Sequence, residues 1–261
     1  MNSSEKQGDD STLPVMWENW KVVTLTETSS TNEAARDYDA WTAVVAEKQT
    51  VGRGRHGRAW ASGPGGLWCS LVLPTPGKPE QWEALPLAVG LSVIRTLAAM
   101  DVDARMRWPN DIMVNDRKLA GLLLERYAPD CVVAGIGINL TNSPAEEDPG
   151  LESIAIRLAD LTPAVPAVDD FLIRLLGRVH EVHQQVSETG IEPLITELNQ
   201  MWGSLPRPVE LHTPEGVIKG DFQGINTQGN LLLKRDPESD STEFCAAHVS
   251  QLIECTPNLT D

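Results

Sequence analysis

The chain changes texture at Leu205, and that change limits how it can fold. Beyond it, short β-prone runs at 208–212, 217–222, 231–234 and 243–246 are separated by Gly, Pro and Asn turns. About 50 residues of that kind predict a small β barrel. Before Leu205, short apolar runs alternate with longer helical stretches. β-branched content and bounding turn residues predict strands at 21–26, 42–47, 67–73, 105–108, 112–114, 119–125 and 131–140. Asn115 and Asp116 read as a hairpin turn. Helices are expected over 81–100, 153–161, 168–188 and 191–202, with Gly190 as a stop signal. Ser30 and Glu33 have the spacing of a capping box, so a further helix is expected to start there. The boundary falls near residue 204. It divides a large unit, 17–203, from a small one, 204–261, and leaves residues 1–16 as a polar tail expected to be disordered.

Of 261 residues, 37 are Asp or Glu and 21 are Lys or Arg, a net charge of −16. That balance argues against nucleic acid and anionic membranes as partners. No apolar run approaches the ~20 residues of a membrane helix. Cys69, Cys131, Cys245 and Cys255 form no CxxC pair and have no His cluster beside them, so zinc and redox motifs are unsupported. Isolated thiols fit a reducing compartment, and a cytoplasmic location is expected.

One stretch runs against the acidic background. Gly52 to Trp60, GRGRHGRAW, holds three Arg, one His, three Gly and no acid. Freed backbone N–H groups beside guanidinium forks can cradle phosphate oxygens. The residues alone leave a solvated charge run as the competing reading. RWPNDI at 107–112 is a turn signal followed by Lys118, either a plain strand-start residue or a cation for a second anion. Gly135 and Gly137 in GIGIN permit a close approach to the backbone or a bulge.

Together these residues are far more specific than any one alone. SSTN at 29–32, GRGRHGRAW at 52–60, RWPNDI at 107–112, RKLAGLLLE at 117–125 and GIGIN at 135–139 resemble the biotin protein ligases in order and spacing. The resemblance implies an α/β (α+β) fold: a mixed-sheet catalytic domain of the biotin/lipoate ligase type, then an SH3-like β barrel. It implies formation of biotinyl-5′-AMP from biotin and ATP with Mg²⁺, then transfer of biotin to a lysine of a biotin carboxyl carrier protein. Lipoate–protein ligase and a non-catalytic biotin or nucleotide sensor are the alternatives.

By the same resemblance, Ser30, Thr31, Asn32 and Gln49 would face the biotin head group. Gly52, Arg53, Gly54, Arg55, Lys118 and Gly121 complete the biotin set. Arg53, Arg55, Arg58, Trp60, Asn110, Lys118 and Asn139 would contact ATP or the adenylate. Arg53, Arg55 and Lys118 would be catalytic, and Asp111 is a candidate Mg²⁺ ligand. Family members occur as monomers and as dimers paired through the large sheet, and a homodimer is expected. The chain departs from the family in three places. Only about 20 residues precede the first strand, too few for the DNA-binding domain of bifunctional members. Arg107 stands where many relatives have Lys, and Val249 to Leu252 lack an arginine that some place there.

Overall fold

A computed structural model of the chain describes residues 15–202, 205–236, 238 and 240–255. Residues 15–202 carry eight strands: β1 (Val15–Trp17), β2 (Trp20–Thr28), β3 (Thr42–Gln49), β4 (Leu67–Pro74), β5 (Arg105–Arg107), β6 (Asp111–Val114), β7 (Arg117–Ala128) and β8 (Cys131–Ile138). They form one sheet in the order β1-β2-β3-β4-β8-β7-β6-β5. Only β2 and β3 run parallel, because the short helix α1 (Thr31–Ala35) lies between them; the other neighbours are antiparallel. Asn115 and Asp116 both have positive φ, 50° and 58°, as a two-residue hairpin between β6 and β7 needs.

The sheet is covered unequally. One face packs against α2 (Leu85–Ala98), α4 (Val168–Thr189) and α5 (Glu192–Met201) and carries the main core. Among the described residues the other face has only α1, over a small cluster of Val23, Ala35, Val44, Val72 and Val133. β4 reads LWCSLVLP with every residue but the last buried, so it lies between two covered faces. A further short helix, α3 (Pro144–Glu147), follows β8. The C-terminal residues form a five-stranded antiparallel sheet from β9 (Arg207–Thr213), β10 (Gly216–Ile225), β11 (Leu231–Lys234), β12 (Thr242–Phe244) and β13 (Gln251–Glu254). Its order is β12-β11-β10-β9-β13, an SH3-like arrangement whose ladder is open between β12 and β13 among the described residues.

The two sheets are joined firmly. The Trp108 indole donates to Gly229 O at 2.9 Å, Trp202 meets Phe222 edge-on at 5.0 Å, and Asn199 bonds both N and O of Ile225. Arg105 of β5 bridges Glu254 of β13 at 2.5 Å and Asp116 at 2.6 Å.

Four expectations change. The helix over 153–161 does not form. Residues 154–156 run beside the start of β7 instead, with Lys118 N donating to Ile154 O at 2.7 Å and Ile156 N to Lys118 O at 3.0 Å; only 158–160 make a 3₁₀ turn. The capping box is absent too: Ser30 is the N-cap of α1, but its side chain makes no cap bond, and Ser29 Oγ donates to Glu33 at 3.0 Å. Val15 and Met16, the end of the expected tail, belong to β1, while residues 1–14 lie outside the described residues. The sequence reading also lacked β13, which pairs with β9. The expected boundary at 203/204 falls on residues outside the described set.

Candidate active site

A cavity of about 390 Å³ opens where the ends of β7 and β8, the glycine–arginine loop and β13 converge. Its floor follows from one local fact. Gly121 and Gly137 are cross-strand partners on β7 and β8. A Cβ on Gly137 would come within 2.5 Å of the Trp60 indole nitrogen, and one on Gly121 within 2.8 Å of the same ring. The indole therefore lies flat on two glycines that no other residue could replace without moving it. Its Nε1–H is buried and has no acceptor. Cys69 also lines the cavity, and burial pushes its thiol up to about 12, so it is a neutral, apolar wall group.

At one end is a pocket of amides and hydroxyls. Gln49 Oε1 accepts from Thr31 N at 2.9 Å and from Thr31 Oγ1 at 3.1 Å, and Gln49 Nε2 donates to Ser62 Oγ at 2.9 Å. Asn32 Nδ2 donates to Leu123 O at 3.2 Å and Glu125 Oε2 at 2.7 Å. The Ser70 hydroxyl sits 2.6 Å from Asn32 Oδ1 and 2.8 Å from Thr31 Oγ1. The Ser30, Thr31 and Asn32 side chains are thus presented by the start of α1, and the last two are locked from behind. Ser70 and Glu125 do the locking. Ser70 carried a signal, a lone hydroxyl in the apolar run LWCSLVL, and the reading of that strand passed over it.

At the other end are the cations. Arg53, Arg55, Arg58, Arg107 and Lys118 line the cavity against two carboxylates, Asp111 and Asp116. Lys118 Nζ lies 4.8 Å from the Trp60 ring centre and 2.6 Å from Asp111 Oδ1, while Arg107 takes Asp111 Oδ2 at 2.8 Å. Burial alone would push the Asp111 carboxyl up; Lys118 and Arg107 outweigh it and hold it below the ordinary carboxylate range. Both Asp111 oxygens are therefore committed to cations, which does not fit a direct Mg²⁺ ligand. Among the described residues no group of three or more His, Cys, Asp or Glu could hold a metal.

The three loop arginines differ. Arg53 pairs with Glu33 of α1 at 3.0 Å. Arg55 is bonded to Asn110 Oδ1 at 3.5 Å and to the carbonyls of Ala246 and Val249, the latter at 3.1 Å. Arg58 lines the cavity and makes no ion pair among the described residues, so its fork is the one left for a ligand. Gly54 lines the cavity, but Gly52 lies one layer behind it. A Cβ there would meet Ser62 Oγ and Trp60 O, both at 2.4 Å, and Gly52 O accepts from Trp60 N. Asn110 Nδ2 donates to Leu122 O at 2.7 Å, fixing the turn before β6. Asn139 Nδ2 donates to Ile156 O, and its Oδ1 accepts from Asn142, so its amide holds the 154–156 segment in place. Glu147 of α3, absent from the sequence reading, accepts from Ser62 N at 3.1 Å and Gly63 N at 2.7 Å and pins the base of the loop. No helix among the described residues is long and apolar enough to cross a membrane.

The chain is similar to known proteins over most of its length. The biotin/lipoate A/B protein ligase family model matches residues 20–139. A biotin–acetyl-CoA-carboxylase ligase of Mycobacterium tuberculosis is 36% identical over 229 residues, covering 83% of this chain and 84% of the relative. The bifunctional ligase/repressor BirA of Salmonella typhimurium is 34% identical over 201 residues, covering 74% of this chain; the match spans 62% of that longer relative. The biotin protein ligase of Aquifex aeolicus, solved in complex with biotin and ATP, aligns with a TM-score of 0.78 at 29% identity, covering 92% of this chain and all of the other. With 36% identity to one ligase over most of both chains and a fold shared with another, the chain belongs to the biotin protein ligase family.

Proposed function

We propose that this cavity joins biotin to ATP and passes the biotinyl group to a lysine of a biotin carboxyl carrier protein. The observation that carries the reading is the order of its surfaces: an amide and hydroxyl pocket, an indole seated on two glycines, and a cluster of cations. A ureido ring offers one acceptor and two donors, which suits Ser30, Thr31, Asn32 and Gln49. An aliphatic tail suits the cavity space beside the Trp60 indole, which the two glycines hold against the sheet. The cations then receive the carboxylate and the triphosphate, two anions that repel each other in water.

The chemistry would proceed in two balanced steps. A carboxylate oxygen forms a bond to the α-phosphorus, and the bond from that phosphorus to pyrophosphate breaks. The acceptor amine then forms a bond to the acyl carbon, loses a proton, and AMP departs as the C–O bond breaks. Lys118 would stabilise charge developing between carboxylate and α-phosphate, held in position by Asp111. Arg58 would take phosphate oxygens with its free fork. Asn110 and Asn139 would shape the nucleotide end rather than grip it. Mg²⁺ would arrive with the ATP phosphates.

The large sheet with its helices, 17–203, is read as the catalytic unit and 204–261 as the second. A cytoplasmic location fits four free cysteines, and a homodimer is testable by sedimentation. Similarity to a biotin–acetyl-CoA-carboxylase ligase and to a ligase solved with biotin and ATP supports this reading over lipoate. The test is ATP–pyrophosphate exchange with biotin and, in parallel, lipoate. Exchange with biotin alone is expected. Exchange with lipoate alone would move the substrate, and silence in a folded protein that binds biotin would favour a sensor.

A further inference from the structure

The glycine–arginine loop touches the C-terminal sheet at one place. Arg55 reaches out of the loop and gives its NH2 group to two carbonyls, Ala246 O and Val249 O at 3.1 Å, while His56 Nε2 lies 3.4 Å from the same Val249 oxygen. Those carbonyls bracket a 3₁₀ turn, Ala246–His248, whose first amides are tied back to Cys245: Ala247 N donates to Cys245 Sγ and His248 N to Cys245 O. Val249 is fully buried, and Ser250 N is fixed to His212 O of β9 at 2.8 Å, so the turn is a rigid part of the second sheet. On its other side the loop is held by the Arg53–Glu33 pair. It therefore spans the cavity mouth like a strap with one anchor on α1 and one on the second sheet.

The acceptors of Arg55 are also unusual in kind. All three of them, Asn110 Oδ1, Ala246 O and Val249 O, are neutral, and the guanidinium makes no ion pair among the described residues. Neutral carbonyls position a guanidinium without cancelling its charge. The anchor thus keeps a full positive charge beside the cavity.

We propose that the Ala246–Val249 turn of the C-terminal sheet is the docking site that holds the loop closed over the bound adenylate, with Arg55 as the positioning residue that engages it. Retention of the reactive intermediate is then a property of the joint between the two sheets, not of the loop alone. The proposal rests on the adenylating function above.

The test perturbs the turn without touching the loop: insertion of one glycine between Ala247 and His248, compared with Arg55→Gln, Arg55→Lys and the double variant. Two readouts are taken. Hydrogen exchange on the free protein follows Gly54, Arg58 and Trp60, whose amides close the loop internally, together with Val249 and Ser250. Release of pre-formed biotinyl-AMP follows retention. The insertion is expected to speed both loop exchange and adenylate release by roughly tenfold or more, as loss of charge-assisted bonds implies. Biotin-dependent pyrophosphate exchange should persist in it. Arg55→Gln should show the same rise in loop exchange and adenylate release, Arg55→Lys should recover part of the loss, and the double variant should be no worse than Arg55→Gln in these two readouts. If the insertion does not fold, Arg55→Gln must still raise exchange at Val249 and Ser250. An insertion variant with wild-type loop exchange and adenylate lifetime would overturn the proposal. Absence of pyrophosphate exchange in the unaltered protein would instead refute the adenylating function, and hydrogen exchange would still decide the docking.

Discussion

Replacing Gly137 by alanine tests the glycine floor directly. The strand backbone accepts alanine, but the new methyl would stand 2.5 Å from Trp60 Nε1 and 2.7 Å from Cε2, where ordinary contact begins at 3.4 Å. Gly137 cannot retreat, because it is hydrogen-bonded in register between Trp68 of β4 and Gly121 of β7. The indole must therefore move by about 1 Å, away from the sheet and into the cavity it lines. Overpacking of this kind costs about 1–3 kcal/mol. If the displaced ring occupies the space meant for the biotin tail, most of that cost appears in binding, a loss of about tenfold to hundredfold. Titration calorimetry with biotin measures it, with Gly177→Ala as the control. That glycine lies in α4 with its nearest neighbour, Trp17, at 3.7 Å, so alanine there should stabilise the protein by about 0.5–1 kcal/mol and leave biotin affinity unchanged. A folded Gly137→Ala protein that binds biotin as the original does would show that Trp60 is not a wall of the biotin groove.

Three further outcomes are expected. Lys118→Ala should lower pyrophosphate exchange by about 10²–10³-fold, and melting should move little because Arg107 still holds Asp111; a large loss of melting temperature with normal turnover would make the lysine structural. Asp111 has a folded pKa below its unfolded one, so its stabilising contribution is complete above about pH 4 and is lost as the pH falls through the lower, folded value. Acid titration of Asp111→Asn should therefore show a shallower loss of stability below about pH 4 than the original chain. Glu147→Ala frees the amides of Ser62 and Gly63 and should cost about 1 kcal/mol, since the carboxylate is solvent-exposed; faster hydrogen exchange at those two amides checks it.

Local signals in the sequence carried the strands, the basic loop and the residues that meet in the cavity. What they did not carry was set by distant partners. The 153–161 stretch has helical spacing, but Lys118 and Asn139 take its backbone and hold it extended. Ser30 and Glu33 have capping spacing, yet Ser30 faces the cavity, and Glu33 is drawn to Ser29 and Arg53. β13 is short, and its identity as a strand comes from β9. Roles shifted for the same reason. The pattern of three loop arginines says nothing about which guanidinium finds a protein partner first; Arg53 and Arg55 do, and Arg58 does not. Glu125 closes the RKLAGLLLE stretch and Glu147 lies outside every quoted motif, but in neither case does the local sequence show the role, since each acts on residues more than 80 positions away.

The hydrophobic interior has a consequence for how the molecule comes apart. Leu85 and Leu97 of α2, Met106 of β5, Trp202, and Leu211, Phe222 and Leu233 of the second sheet all belong to one continuous buried cluster. Gly229 packs on Ala84 and Leu87 so closely that a methyl group there would stand 3.1 Å from Ala84. Removing the last 50 or so residues would thus expose the apolar side of α2 and the Trp108 and Trp202 indoles rather than detach an appendage. The change of texture at Leu205 marks a change of architecture but no line of cleavage: as a melting body, the chain is single.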